Sequence, residues 1–343
     1  MNQRILVSVS ILTVLISGVL LATILVAAQA PSGTPAAAAA KAATTWTLSR
    51  TPDGQPDLQG YWTNLSFTPL ERPAKYAGKE FFTDEELAEE FKRGVQHSYD
   101  FTFQNSAETP VYDGTVYALD AWQNGIKPNR RTSLIKDPAD GKIPPRTPET
   151  QKRATERAAA RRGRGPADRP EDLGLGVRCF SFQNAGPPML PGNYNSNYLI
   201  VQAPGYVMIT YEWNSEVRII PLDGRPPLSQ NIRRWHGDSR GRWEGNTLVV
   251  ETTNFRPEGT YQDANPETLR MVERFTRVDA DSINYEFTVN DPTTWTRPWT
   301  VEVPLNKIEG PMFEYACSEG NNSLINILQG ARAAEKAAAK EAR

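Results

Sequence analysis

Histidine and cysteine are the scarcest chemistry-bearing residues of this 343-residue chain, with two of each: His97 and His236, Cys179 and Cys317. Zinc usually takes several His or Cys ligands at one site, so a zinc centre has too little to draw on and no metal site is expected. No G-x-G-x-x-G fingerprint and no P-loop occurs, which removes support for nucleotide folds. No G-x-S-x-G elbow occurs either, and Ser239 follows His236 too closely for the usual triad geometry. Charge of one sign is also missing. The 38 Lys and Arg against 40 Asp and Glu leave a formal −2, which gives no electrostatic case for nucleic acid. The basic runs R-A-A-A-R-R-G-R-G and R-G-R read as solvated surface.

The N-terminus is where the chain is most explicit. One arginine in Met1–Arg4 precedes an uncharged apolar run from Ile5 to Ala28, followed by the small-x-small pattern of Ala28-Gln29-Ala30. That is the layout of a signal peptide cleaved after Ala28. The run is also long enough to span a bilayer, so retention as an inner-membrane anchor stays open. Either way the body of the protein is expected to be exported, periplasmic or extracellular, and to touch a membrane only through this segment. Residues 29–47 read as a Pro/Ala/Thr linker with nothing to bury. Outside the cytoplasm two cysteines can oxidise, and Cys179 with Cys317 would close a loop of well over a hundred residues, worth about 4–5 kcal/mol in the chain-entropy model. Two separate buried thiols are the alternative.

Residues 48–175 are irregular and are expected to pack on a β domain. A first strand is centred on Trp62 in P-D-L-Q-G-Y-W-T-N. A helix starts at Thr83, whose partner Glu86 completes a capping box, with Leu87, Phe91 and Val95 along one stripe. A second helix runs from Thr147, with Pro148 in its first turn, to about Arg162. From 176 to 328 the pattern changes to short strands with turn signals at close intervals: N-Y-L-I-V-Q, Y-V-M-I-T-Y-E, E-V-R-I-I-P-L, T-L-V-V-E-T-T-N-F, M-V-E-R-F-T-R-V, S-I-N-Y-E-F-T-V, W-T-V-E-V-P-L and M-F-E-Y-A-C. The fold expected is mostly β, an antiparallel barrel or sandwich with a few peripheral helices and a helical or frayed tail at 329–343.

Period-two counting places single carboxylates such as Glu212, Glu251 and Glu286 on mixed or aromatic strand faces, the pattern of a lined cup and equally of a solvent face. Around W-N-S two registers are open: Glu212 opposite Glu216, a like-charge clash, or Tyr211 opposite Arg218. His236 stands before G-D-S-R-G and W-E-G-N-T, both read as turns. It is then a turn histidine, a general base oriented by Asp238 or Glu251, or a lone metal foothold. Trp213, Trp235, Trp243, Trp295 and Trp299 all fall in the strand region. Most belong in a core, and any that line a cavity suit an apolar or aromatic small molecule.

The phrases R-T-P-D-G-Q-P-D-L-Q-G-Y-W-T-N, T-P-L-E-R-P, R-I-I-P-L-D-G-R-P, G-D-S-R-G-R-W-E-G-N-T-L-V-V-E-T-T-N-F and D-P-T-T-W-T-R-P-W-T together resemble a large group of exported, β-rich proteins of soil and marine Proteobacteria and Acidobacteria. The resemblance covers roughly residues 50–330 and implies export and a β-rich fold; it brings no activity with it. G-Y-W is also similar to the G-x-W of lipocalin-like barrels. In the group, histidine is frequent where this chain has Ser215, Pro227 and Ser318, and an aliphatic residue where it has His236. The matching polar positions, Arg178, Glu212, Arg218, Asp238, Glu251 and Glu314, are what the resemblance implies as site-lining.

The expectation is an exported lyase or hydrolase acting on a small aromatic or apolar compound. Glu212, Glu251, His236 and Asp238 are its acid/base candidates, and Arg178, Arg218, Tyr211, Trp213 and Glu314 its binding residues, with no cofactor. The alternatives are a binding protein that holds such a ligand without chemistry, and an envelope protein whose polar faces meet a partner.

Overall fold

The computed structural model describes residues 46–104, 125–182, 185–192 and 195–341, with only the helical backbone for 97–104. The export segment, most of the linker and the His97 side chain lie outside the described residues. The strand-forming runs build ten antiparallel strands: β1 (Gly60–Thr63), β2 (Ile135–Asp137), β3 (Asn197–Ala203), β4 (Tyr206–Tyr211), β5 (Val217–Pro221), β6 (Asp238–Glu244), β7 (Thr247–Thr253), β8 (Arg270–Arg277), β9 (Ser282–Asn290) and β10 (Trp299–Lys307). Their order is β5-β4-β3-β1-β10-β9-β8-β7-β6, with β2 added on β10, and the sheet curls into a nearly closed barrel. The end strands β5 and β6 come round to face each other with no backbone ladder between them. Among the described residues the ladder runs unbroken from β5 to β6 by way of the other strands and is open at this seam.

Alternation of apolar residues decides which face points inward. In β9, Ile283, Tyr285, Phe287 and Val289 are fully buried, and so are Met271 and Phe275 of β8 and Val301, Val303 and Leu305 of β10. With Trp62, Tyr198, Ile209 and Tyr211 they form one continuous cluster. The rings expected to line a hollow therefore pack against one another, because so many large side chains share the inner face. On the outer face Glu286 and Glu302 stand directly opposite each other. Lys136 of β2 bridges both carboxylates and removes the repulsion.

The segment before 176 does more than rest on the barrel. It threads β1 between β3 and β10, and Trp62 Nε1 donates to Leu58 O at 3.0 Å. Helix α1 (Asp84–Gln104) begins at the expected capping box, with Glu86 N to Thr83 Oγ1 at 3.3 Å and Thr83 N to Glu86 Oε2 at 2.8 Å. Its Phe91 and Val95 pack with Phe67 on Leu65 and Ile126. Helix α2 (Pro148–Ala160) is capped by the Thr147 side chain, and α3 (Asn322–Glu341) forms the tail. Among the described residues no helix is long and apolar enough to cross a membrane.

Two strand expectations change. M-F-E-Y-A-C makes only a single bridge, Trp213 to Tyr315, since Cys317 N is taken by the Asn214 side chain at 3.2 Å. The stretch from Asp238 is not a turn but the start of β6. The hairpin turn comes later, at Gly245-Asn246, where Gly245 has φ +60°.

Candidate functional site at the barrel seam

Register positions the site. Ile209 pairs with Arg218, and Tyr211 N donates to Glu216 O at 2.8 Å. This register is neither of the two expected: Tyr211 faces Glu216, and Glu212 escapes the clash. Positive φ at Asn214 and Ser215, 53° and 50°, gives the hairpin its extra twist and absorbs the shift. Period two then turns Arg218 and Ile220 inward, with Glu216 on the same side at the end of the row. Val217 and Ile219 turn outward and are 49% and 60% exposed.

Arg218 closes the seam from inside. Its guanidinium donates to Ser239 Oγ of β6 at 2.8 Å, Thr252 Oγ1 of β7 at 2.9 Å and Glu273 of β8, the last through both nitrogens. Tyr285 of β9 donates to the same carboxylate at 2.9 Å and accepts from Met189 N at 3.1 Å. Burial works against the charge on Arg218, but the Glu273 carboxylate outweighs it and the guanidinium pKa rises. The neighbouring Tyr211 hydroxyl is pushed up to about 12 by burial.

Outside this clasp the seam opens into a cleft of about 320 Å³. Val217 and Ile219 form one wall, Trp235 with Arg233, Arg234 and Arg256 the other, and Arg218 and Ser239 are among its lining residues. His236 enters it because Gly237, with φ +70°, turns the chain into β6; a Cβ there would lie 2.6 Å from Thr253 O. His236 Nε2 is 2.6 Å from Glu216 Oε2, the imidazole nearly buried and the carboxylate partly open to solvent. Trp235 stacks on Phe180 at 5.3 Å and lies under the Arg256 guanidinium at 4.6 Å, and Arg178 covers Phe180 at 4.8 Å. Arg234 is exposed, and its guanidinium has no hydrogen-bond or ion-pair partner among the described residues.

Cys179 and Cys317 are joined by a disulfide, with Cα atoms 5.5 Å apart across 138 residues. It grips the hairpin that carries Glu216, since Asn214 Nδ2 donates to Cys179 O at 2.8 Å.

The sequence-predicted residues scatter. His236 and Arg218 line the cleft. Glu212 sits at the end of β4 accepting Asn197 N at 3.3 Å, and burial raises its pKa against that bond. Glu251 lies on the outer face of β7, paired with Arg270. Asp238, an expected orienter of His236, instead accepts Leu228 N at 2.8 Å and pairs with Arg240 at 2.8 Å. Tyr211 is core. Trp213 is buried between the rings of Phe182 and Tyr315, each 5.0 Å away. Arg178 serves the stack, and Glu314 is exposed. Sequence reasoning missed Glu273, Arg234 and Arg256, named Trp235 only as one of five tryptophans of the strand region, and gave His236 Asp238 or Glu251 as its orienter where the structure has Glu216. The signal for Glu273 was there: it alternates with Met271 and Phe275, an acid on an apolar face. Among the described residues no group of acids, histidines and cysteines could hold a metal ion.

Compared with protein-family models, with curated proteins and with solved structures, the chain matches none of them.

A carboxylate on Nε2 fixes the imidazole and favours the tautomer that leaves Nδ1 as the acceptor. Beside it stand an unpaired guanidinium and aliphatic and aromatic walls. Such a cleft can hold an anion by its charge and its carbon body by contact, and can take up a proton next to it.

Proposed function

We propose that this is an exported protein whose seam cleft captures a small organic anion with an apolar or aromatic body. The observation that carries the reading is the convergence, in one concave surface, of the unpaired Arg234 guanidinium with the Val217, Ile219 and Trp235 side chains. The signal-like N-terminus, the resemblance to exported β-rich proteins and the disulfide support export. Titration calorimetry with 4-hydroxybenzoate and with its neutral amide tests the capture. The carboxylate should bind and the amide bind at least tenfold more weakly, with Arg234→Gln erasing the difference. Equal affinities, or no binding, would remove this reading.

The Glu216–His236 pair favours a second reading, catalysis on the captured compound. Here His236, oriented by Glu216, is the general base of a hydrolysis or an elimination, in place of Glu212 and Glu251. Its test is turnover of aryl esters that carry a second, free carboxylate. General-base loss typically costs roughly 10²–10⁴-fold, so His236→Asn should cut kcat by that much and Glu216→Gln by less. Unchanged kcat in His236→Asn leaves a binding protein.

A further inference from the structure

A second cleft, of about 400 Å³, opens beside the first. The two share one wall residue, Arg233. That side chain is fixed as a strut: it donates to Pro266 O at 2.6 Å and Phe255 O at 3.4 Å and pairs with Glu267 at 2.7 Å. The two concavities thus adjoin at one fixed guanidinium, which stands in the wall of each.

Their chemistry differs in one respect. The charges of the second cleft are already neutralised within the protein, Arg233 by Glu267 and Arg270 by Glu251. What remains are the flat apolar faces of Pro227, Leu228, Pro266 and Leu269, together with a Gln230 amide and a Thr253 hydroxyl whose side chains have no partner among the described residues. The Asn254 amide is spent on the carbonyls of Leu228, Ser229 and Ile232 and shapes the rim. Apolar faces edged by neutral donors and acceptors suit a ring with hydroxyls around its margin. They offer nothing to an ion.

We infer that the adjoining clefts bind a two-part ligand, an aryl carboxylate bearing a glycosyl unit, with the anion beside Arg234 and the sugar in the cleft of Gln230 and Thr253. The inference rests on the capture reading above and names the class of compound captured.

The experiment compares three probes on the full chain by calorimetry: 4-hydroxybenzoate, its 4-O-β-glucoside and 4-hexyloxybenzoate. The glucoside should bind roughly tenfold more tightly than the parent acid, the order expected when a preformed cleft adds favourable contacts. Gln230→Trp, at an exposed loop position, fills the second cleft. It should abolish that gain while leaving the affinity for 4-hydroxybenzoate unchanged. A glucoside no better than the parent, an equal gain from the hexyl ether, or a gain that survives Gln230→Trp each overturns the two-part ligand. Failure of 4-hydroxybenzoate alone to bind, with the amide equally inert, overturns the underlying capture first.

Discussion

Arg218 and Glu273 meet inside the barrel through two hydrogen bonds, one of them 3.0 Å from Nη1 to Oε1, with side chains 5% and 0% exposed. They stand on β5 and β8, so the pair spans the seam that no backbone ladder closes. Open sheet edges are a liability, and a side chain that reaches across three strands ties this one shut. Removing one partner leaves the other charged and buried, at a cost of about 3–5 kcal/mol. Arg218→Met and Glu273→Leu are each expected to lower stability by that much in urea denaturation. The double variant should recover most of the loss, since a packed apolar pair of similar volume no longer buries a charge. Additive losses would show that the pair does not act as a unit.

The disulfide should stabilise the fold from outside the core. Cross-linking over 138 residues restricts the unfolded chain, and the entropy model puts the effect at about 4–5 kcal/mol. The doubly substituted Cys179→Ser/Cys317→Ser protein, or wild type under reductant, should unfold at correspondingly lower denaturant. Because Asn214 bridges both cysteine backbones, affinity for 4-hydroxybenzoate should fall as well. Denaturation midpoints and calorimetry on the same samples read both effects.

Gly241 marks how closely β5 and β6 approach away from the cleft. A Cβ there would lie 2.6 Å from Leu222 Cδ2 and 2.8 Å from Ile220 Cγ2. Overpacking of this kind typically costs about 1–3 kcal/mol. Gly241→Val should therefore destabilise the protein within that range in thermal or urea unfolding. A neutral substitution would mean the seam is looser than these contacts imply.

Much of the architecture was legible because it depends on local patterns. The period-two runs of β8, β9 and β10 announce an inner face, and the Thr83–Glu86 box announces a helix start, since both signals lie within a few residues. The site was not, because it is assembled across the seam from strands far apart in the chain. Glu216 reaches His236 only when the hairpin shifts by one residue through two left-handed positions, and no local rule selected that register. Asp238, two residues after His236, drew attention as its partner, but the structure gives its carboxylate to Leu228 and Arg240. Trp235 and Arg256 meet only because their two loops pack together beside the seam.

Glu212 supplies a pH dependence whose sign follows from its burial. Desolvation raises its carboxyl pKa above the ordinary value, and the hydrogen bonds from Asn197 do not offset this fully. The folded state thus holds this proton more tightly than the unfolded chain does. Its favourable contribution is fully present below the unfolded pKa of about 4.3 and is lost as pH rises through the higher folded value. Above that, wild type carries a partly buried, unpaired carboxylate. Glu212→Gln keeps an oxygen to accept from Asn197 N and carries no charge. Its melting temperature relative to wild type should therefore rise between pH 4 and pH 7. Melting curves of both proteins at the two pH values decide it: a relative melting temperature that falls over this interval would mean that Glu212 is stabilised as the anion.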